Sequence, residues 1–256
     1  DWRELIRSRE LLFFLVWRDV KVRYKQTVLG GAWAILQPLT MTFIFTFIFG
    51  LLAKLPSDGL PYPVFVLAGL LPWAFFAAGV SGGAMSLVNQ QHLLTKVYFP
   101  RLYVPTAAVG VGLVDLLISS GLYVVMLLIY GILPSRGVVF LPALLVVTLL
   151  ATLGLGYILA SLTVVYRDFR HVVPFLLQVM MYLCPVVYPA SLIPARFRLV
   201  LALNPMTGLI AAYRSAVLGT PWDLPMLAVS SLVTAGLFVL GLFYFRKTER
   251  RFADIA

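Results

Sequence analysis

Six stretches of this chain, 16 to 30 residues long, contain a single charged side chain, Asp115, among them; they cover roughly 33–53, 62–88, 104–133, 138–165, 172–187 and 224–245. About 20 mostly apolar residues span a bilayer as a helix. In hydrocarbon every backbone N–H and C=O must be satisfied within the protein, so such stretches are helical. Pro72, Gly79, Gly154, Gly156 and Pro174 fall inside them, where neighbouring helices can satisfy the freed backbone groups. Apolar residues make up 61% of the 256 and charged residues 12%, against about 45–50% and about 25% in soluble chains. That much apolar surface cannot be hidden in one core of this size. A soluble enzyme, a secreted disulfide module and a disordered tail are excluded.

The stretch 199–218 is moderately apolar, but Asn204-Pro205 divides it into pieces too short to cross. Charge decides how to count it. With six spans and the N-terminus inside, the inner side holds Arg3, Arg7, Arg9, Arg18, Lys21, Arg23, Lys25, Lys96, Arg101, Arg167, Arg170, Arg246, Lys247, Arg250 and Arg251. The outer side holds Lys54, Arg136, Arg196, Arg198 and Arg214. This 15-to-5 split follows the cytoplasmic bias of Lys and Arg. It predicts both termini inside, and it makes 190–220 an outer segment of two short helices that enter the membrane and return. The net charge of +10 is then a topology signal rather than a nucleic-acid one.

Residues 1–25 read differently. Arg3, Arg7, Glu10, Arg18, Lys21 and Lys25 recur at spacings of three and four, with Phe14 filling the gap in the series, opposite a stripe of Leu5, Leu12, Val16 and Val20. This predicts a basic amphipathic helix in the membrane interface, with Gly30-Gly31 as the hinge into the first span. These residues are also too charged to serve as a secretory signal core. Gly156 and Ala160, Thr152 and Gly156, and Thr106 and Gly110 are small-xxx-small pairs that let helices approach closely.

Enzymatic chemistry is not written in the chain. None of the five lysines follows a glycine, so the GxxxxGK[ST] phosphate loop is absent. HExxH and CxxC are absent too, and the one GxSxG match, at 79–83, lies inside an apolar stretch. One cysteine, Cys184, and two distant histidines, His92 and His171, give no expected metal site and no intrachain disulfide. Asp115 is an intramembrane acid and hence a functional candidate, although a carboxyl beside Ser119 and Ser120 also suits hydrogen-bonded packing. The inner loop NQQHLLTKVYFPRLYVP at 89–105 ends between Pro100 and Pro105. It is the expected docking handle for a soluble partner, through His92, Lys96, Tyr98, Phe99 and Arg101.

Four motifs carry a resemblance. RYKQTVLGGAWAILQPLTMTFIFTFIFG at 23–50, KVYFPR at 96–101, YRDFRHVVP at 166–174 and NPMTGLIAAYRSAVLG at 204–219 are similar to motifs of the membrane subunits of ATP-binding-cassette polysaccharide exporters, the type-2 export permeases. The order and spacing agree over nearly the whole chain.

The resemblance implies an all-α integral membrane permease of six transmembrane helices. It implies one domain over 1–256: a cytoplasmic interface helix in 1–32, a bundle in 33–245 and a cytoplasmic tail in 246–256. It also implies a homodimer forming a translocation channel in a bacterial inner membrane, joined to two copies of a separate ATPase subunit. ATP and magnesium would act there, with no cofactor in this chain. The cargo would be an undecaprenyl-linked polysaccharide such as O-antigen, with teichoic acid, a drug or a small lipid as alternatives.

Residues can be set beside those expectations. Arg18, Lys21, Arg23 and Lys25 are candidate cations for a diphosphate headgroup, since Arg matches phosphate oxygens with a planar fork. Phe43, Phe47, Trp73 and Tyr182 are candidate channel aromatics for sugar rings, although i, i+4 aromatics also face lipid or core. A membrane transferase would need acids or metal ligands at the surface, where the loops offer only Asp168 (inner) and Asp58 and Asp223 (outer). A proton-driven carrier would need more than one buried acid.

Overall fold

The computed structural model describes residues 9–25, 30–90 and 99–249. Among these there are nine α-helices and no strand. The first, α1, is Arg9–Lys25; α2 is Trp33–Phe45 and runs on as a π-helical segment, Thr46–Leu52. Then come α3 (Tyr62–Asn89), α4 (Tyr103–Ile129), α5 (Leu141–Val165) and α6 (Phe169–Leu183). Short α7 (Ala195–Leu201), α8 (Pro205–Leu218) and long α9 (Leu224–Glu249) complete the chain.

Five helical stretches are long and apolar enough to cross a membrane: Trp33–Leu52, Tyr62–Asn89, Tyr103–Ile129, Arg136–Val165 and Leu224–Glu249. The fifth expected span is α6, which is apolar but only 15 residues long, about 22 Å at 1.5 Å per residue. A hydrocarbon core is about 30 Å thick, so α6 alone falls short of it. Local chemistry sets its end. Cys184 is extended and Pro185 follows, so the helix stops there. The break expected at Asn204-Pro205 is present, with Asn204 capping α8 by accepting from the Met206 N–H at 3.2 Å. Pro205 occupies the first turn, where its missing N–H costs nothing. Gly219 closes α8 in the left-handed region at φ 73°.

α3 is the central pillar. Its apolar window is 78% buried, against 11–28% for the other four, and it packs on α2, α4, α5, α6 and α8. Van der Waals fit rather than burial from water must hold these helices together, because lipid is as apolar as their side chains. The chain achieves it with backbone contact. A Cβ on Gly79 would lie 2.5 Å from Thr152 Cγ2, and one on Gly83 would touch the Gly156 Cα at 3.5 Å. The small residues of α5 therefore face α3. Outward, Phe43, Leu117, Leu128, Leu232 and Phe243 are each more than two-thirds exposed, the inside-out pattern of a bundle whose solvent is lipid.

α1 lies against α4. Its buried stripe is Leu11, Leu12, Leu15 and Val16, packed on Tyr103 and Ala107, with Val16 over Gly110. Only Leu12 and Val16 of the expected stripe take part, because the glycine notch in α4 sets which turn of α1 docks. Leu5 lies outside the described residues. Phe13, Phe14 and Trp17 project from α1 and are exposed, so this helix carries a second apolar face.

Candidate functional site

A cavity of about 530 Å³ lies where the end of α1 meets α2, α3 and α4. Arg23, Tyr24, Gln37, Trp73, Asp115 and Ser119 supply its polar and aromatic lining. The acid inside the span is not alone there. Arg23 Nη1 is 2.9 Å from Asp115 Oδ2, and the Tyr24 hydroxyl donates to Asp115 Oδ1. Burial first, and then the Asp115 hydrogen bond, push the Tyr24 phenol up to about 12. It keeps its proton at physiological pH and remains a donor. Ser119 Oγ donates to the carbonyl of Ala34 at 2.7 Å, fixing the start of the first span to α4 beside the cavity.

The four candidate headgroup cations divide. Arg23 reaches the cavity, whereas Arg18 pairs with its own neighbour Asp19 at 2.7 Å. Lys21 lies over the Trp17 ring at 5.2 Å, and Lys25 is exposed. The four candidate channel aromatics divide as well. Trp73 is 4% exposed and borders the cavity, while Phe43, Phe47 and Tyr182 are 72%, 49% and 60% exposed on the outside of the chain.

Of the expected docking residues, His92, Lys96 and Tyr98 lie outside the described residues. Phe99 is half-buried against the cluster of Leu87, Val104, Tyr157, Ala160 and Phe245. Arg101 Nη1 donates to the Glu249 carbonyl at 2.7 Å. The end of the loop between α3 and α4 is thus fastened to the end of α9. Gln90 Nε2 reaches Asp19 Oδ2 at 3.4 Å, tying the start of the same loop to α1.

Tyr24 and Gln37 carry no expectation from the sequence, and neither does the floor of the opposite end, built on Arg214. That side chain is 3% exposed. Its Nε donates to the Phe65 carbonyl at 3.0 Å, and its Nη groups donate to the Pro185 and Val186 carbonyls. The guanidinium carbon stands 3.6 Å above the Phe65 ring. A cation in an apolar stretch is expensive unless the protein satisfies it, and that cost was the available signal. No three His, Cys, Asp or Glu among the described residues gather closely enough to hold a metal ion.

Comparison with known proteins gives a consistent answer. The family described as "ABC-2 type transporter" matches residues 10–218. A protein named O-antigen export system permease protein RfbA, from Myxococcus xanthus, is 38% identical over 216 residues, which is 83% of this chain and 82% of the relative. Its namesake from Klebsiella pneumoniae is 29% identical over 247 residues, covering 96% and 95%. The Polysialic acid transport protein KpsM of Escherichia coli is 28% identical over 240 residues, 91% of each chain.

Proposed function

This chain belongs to the ABC-2 type transporter family, and from that premise we propose that it is the membrane-spanning permease of an ATP-driven polysaccharide exporter of the O-antigen type. One observation carries the reading. The likeness runs over 83–96% of the chain to permeases named for two different polymers, O-antigen and polysialic acid. What they share is therefore the whole bundle, and its shared task is moving a sugar polymer rather than reading one sugar.

In this reading the chain crosses the inner membrane six times as a single domain, with α6 as the short fifth span and both termini cytoplasmic. The segment carrying α7 and α8 dips in from the outer face. Two copies form the channel, with Phe43, Phe47, Trp73 and Tyr182 as its candidate aromatics. Two ATPase subunits holding ATP and magnesium dock at the inner loop through His92, Lys96, Tyr98, Phe99 and Arg101. The fastening of Arg101 to the end of α9 supports a path by which loop movement reaches the last span. Phe13, Phe14 and Trp17 on α1 suit insertion at headgroup depth.

The cargo in this reading is a polyprenyl diphosphate-linked glycan. Arg23 is the cation placed to meet its phosphate, since Arg–phosphate contacts are charge-assisted and bidentate. At rest Asp115 occupies that guanidinium. An arriving phosphate exchanges with the carboxylate and releases the end of α1 from α4, which opens the cavity sideways. Arg18, Lys21 and Lys25 add attraction for anionic lipid, about 1 kcal/mol each at the surface.

Deletion of the coding sequence tests the function. The expected result is loss of surface polysaccharide, with lipid-linked polymer accumulating on the inner leaflet, and co-purification of the complementing tagged chain with a subunit bearing a phosphate-binding loop. Surface polymer persisting in the deletion strain would overturn the reading.

A further inference from the structure

At the end of the bundle opposite α1 there is a second cavity, of about 600 Å³, which the transport reading does not use. Four separated segments build it: the turn before α3, the segment from Pro189 to Arg198, the end of α8, and the connection 220–225 into α9. The Asp58 carboxylate accepts from Ser191 Oγ at 2.9 Å across 133 residues. Its Oδ2 has no hydrogen-bond partner among the described residues. Asp58 sits at φ 52°, and Lys54 in the same turn at φ 51°. Left-handed backbone in a non-glycine residue costs energy and gathers at functional sites.

Across the cavity, Asp223 caps α9 by accepting from the Met226 N–H at 3.1 Å. Its other oxygen is 3.6 Å from Arg198 Nη1. Thr220 and Ser215 exchange a hydroxyl contact at 3.2 Å. Trp222, 37% exposed, borders the same space and is braced edge-on by Phe140 at 5.6 Å and 77°.

Carboxylates, a guanidinium and hydroxyls around a braced indole form a set that suits a sugar. Planar polar groups pair with neighbouring hydroxyls, and an aromatic face packs on the C–H face of the ring. The volume lies in the range of small-ligand sites, about 300–1,000 Å³, with room for a short oligosaccharide. Two acids against Arg198 and Arg214 leave no net positive charge to draw an anion, and the Arg214 donors are committed to carbonyls. We propose that this cavity is a saccharide-binding site for the uncharged, hydroxyl-rich part of the polymer as it leaves the bundle on the outer face. It rests on the export reading and assigns that reading a site at the exit.

The test uses the intact transporter in cells that make the polymer. A photo-crosslinking phenylalanine is placed at Trp222, at Ser191, and at Leu133, which is 86% exposed on a different loop at the same end. The expected result is a polymer-length ladder on the tagged permease from 222 and 191 and none from 133. Adding Asp58→Asn and Asp223→Asn should weaken the ladder. In parallel, Trp222→Ala should cut the export rate roughly 3- to 10-fold at unchanged membrane abundance, as expected for the loss of one aromatic contact, and Trp222→Phe should restore most of it. Exporting cells with no ladder at 222 and 191, or with an equal ladder at 133, would overturn the exit site while leaving the export reading standing. A deletion strain that keeps its surface polymer would instead remove the export reading.

Discussion

The contact between α5 and α9 can be tested by adding one methyl group. A Cβ built on Gly154 would lie 2.6 Å from the amide nitrogen of Phe238 and 2.7 Å from its Cα, whereas ordinary contact begins at 3.4 Å. The neighbours are backbone atoms that cannot rotate away. Gly154→Ala must therefore push the two helices apart by about 0.8 Å (3.4 less 2.6) along this crossing. Overpacking costs about 1–3 kcal/mol, and a backbone obstacle belongs at the upper end. Alanine recovers at most about 1 kcal/mol of helix propensity, which leaves a net loss of about 2 kcal/mol. Gly156, two positions along the same helix, is the control, because a Cβ there meets nothing within 4 Å. Gly156→Ala should be neutral or stabilise by up to about 1 kcal/mol. The chain supplies its own probe. Cys184 is the only cysteine and is fully buried, so a thiol-reactive fluorophore in detergent reports unfolding directly. At about 2–4 °C per kcal/mol for a chain of this size, Gly154→Ala should melt about 4–8 °C below the parent and Gly156→Ala at or above it. Equal melting of the two variants, or the reverse order, would refute the packing argument.

Two further outcomes follow from the same structure. Arg23→Lys keeps the charge that fixes topology but loses the planar fork, so export or substrate-stimulated ATP hydrolysis should fall several-fold with normal abundance, while Arg18→Lys should be silent because Arg18 is occupied by Asp19; full activity of Arg23→Lys would sink the phosphate assignment. In a Cys184→Ala background, cysteines at Ser57 and Arg196 should react with an impermeant reagent added outside intact cells and one at Lys247 should not; labelling at 247 would overturn the six-span orientation.

Span positions were legible from the sequence because hydrocarbon leaves backbone no option but a helix. Each expected edge falls within four residues of a helix end, α6 included, which ends at Leu183 rather than at 187. There hydropathy continued past Leu183 while the helix did not, since Pro185 ends a helix without lowering the apolar count. Tertiary partners were less legible. Arg23 and Asp115 lie 92 positions apart, and no periodicity in either helix announces that one faces the other. Arg23 was marked as a cation and Asp115 as a buried acid, each for a sound local reason. Their pairing depends on the Val16–Gly110 fit that sets the register of α1 on α4. The cavity bordered by Trp222 was hidden for a related cause. Asp58 stands in one loop, Arg198 in the seven-residue α7, and Trp222 and Asp223 in another loop, and segments this short have no period to read.

The short sixth helix and the buried Arg214 are one arrangement. A helix that ends inside a membrane leaves its last carbonyls without partners, and hydrocarbon offers no water to satisfy them. Pro185 adds a carbonyl and removes an N–H. The structure answers with a guanidinium, whose donors reach the Pro185 and Val186 carbonyls and, across to α3, that of Phe65. Gly69 makes room for it, since a Cβ there would lie 2.5 Å from Nη2. The charge is tolerated because carbonyl dipoles and the Phe65 face surround it. A fork of five donors on three nitrogens can reach carbonyls on separate segments at once, whereas the three donors of a lysine share one nitrogen. Arg214 thus joins three elements, α3, the turn after α6 and α8, at the depth where the chain gives up regular helix. Any movement of α8 away from α3 and the turn after α6 would have to carry this guanidinium off those carbonyls. This end of the bundle is therefore held by polar bonds in an apolar setting.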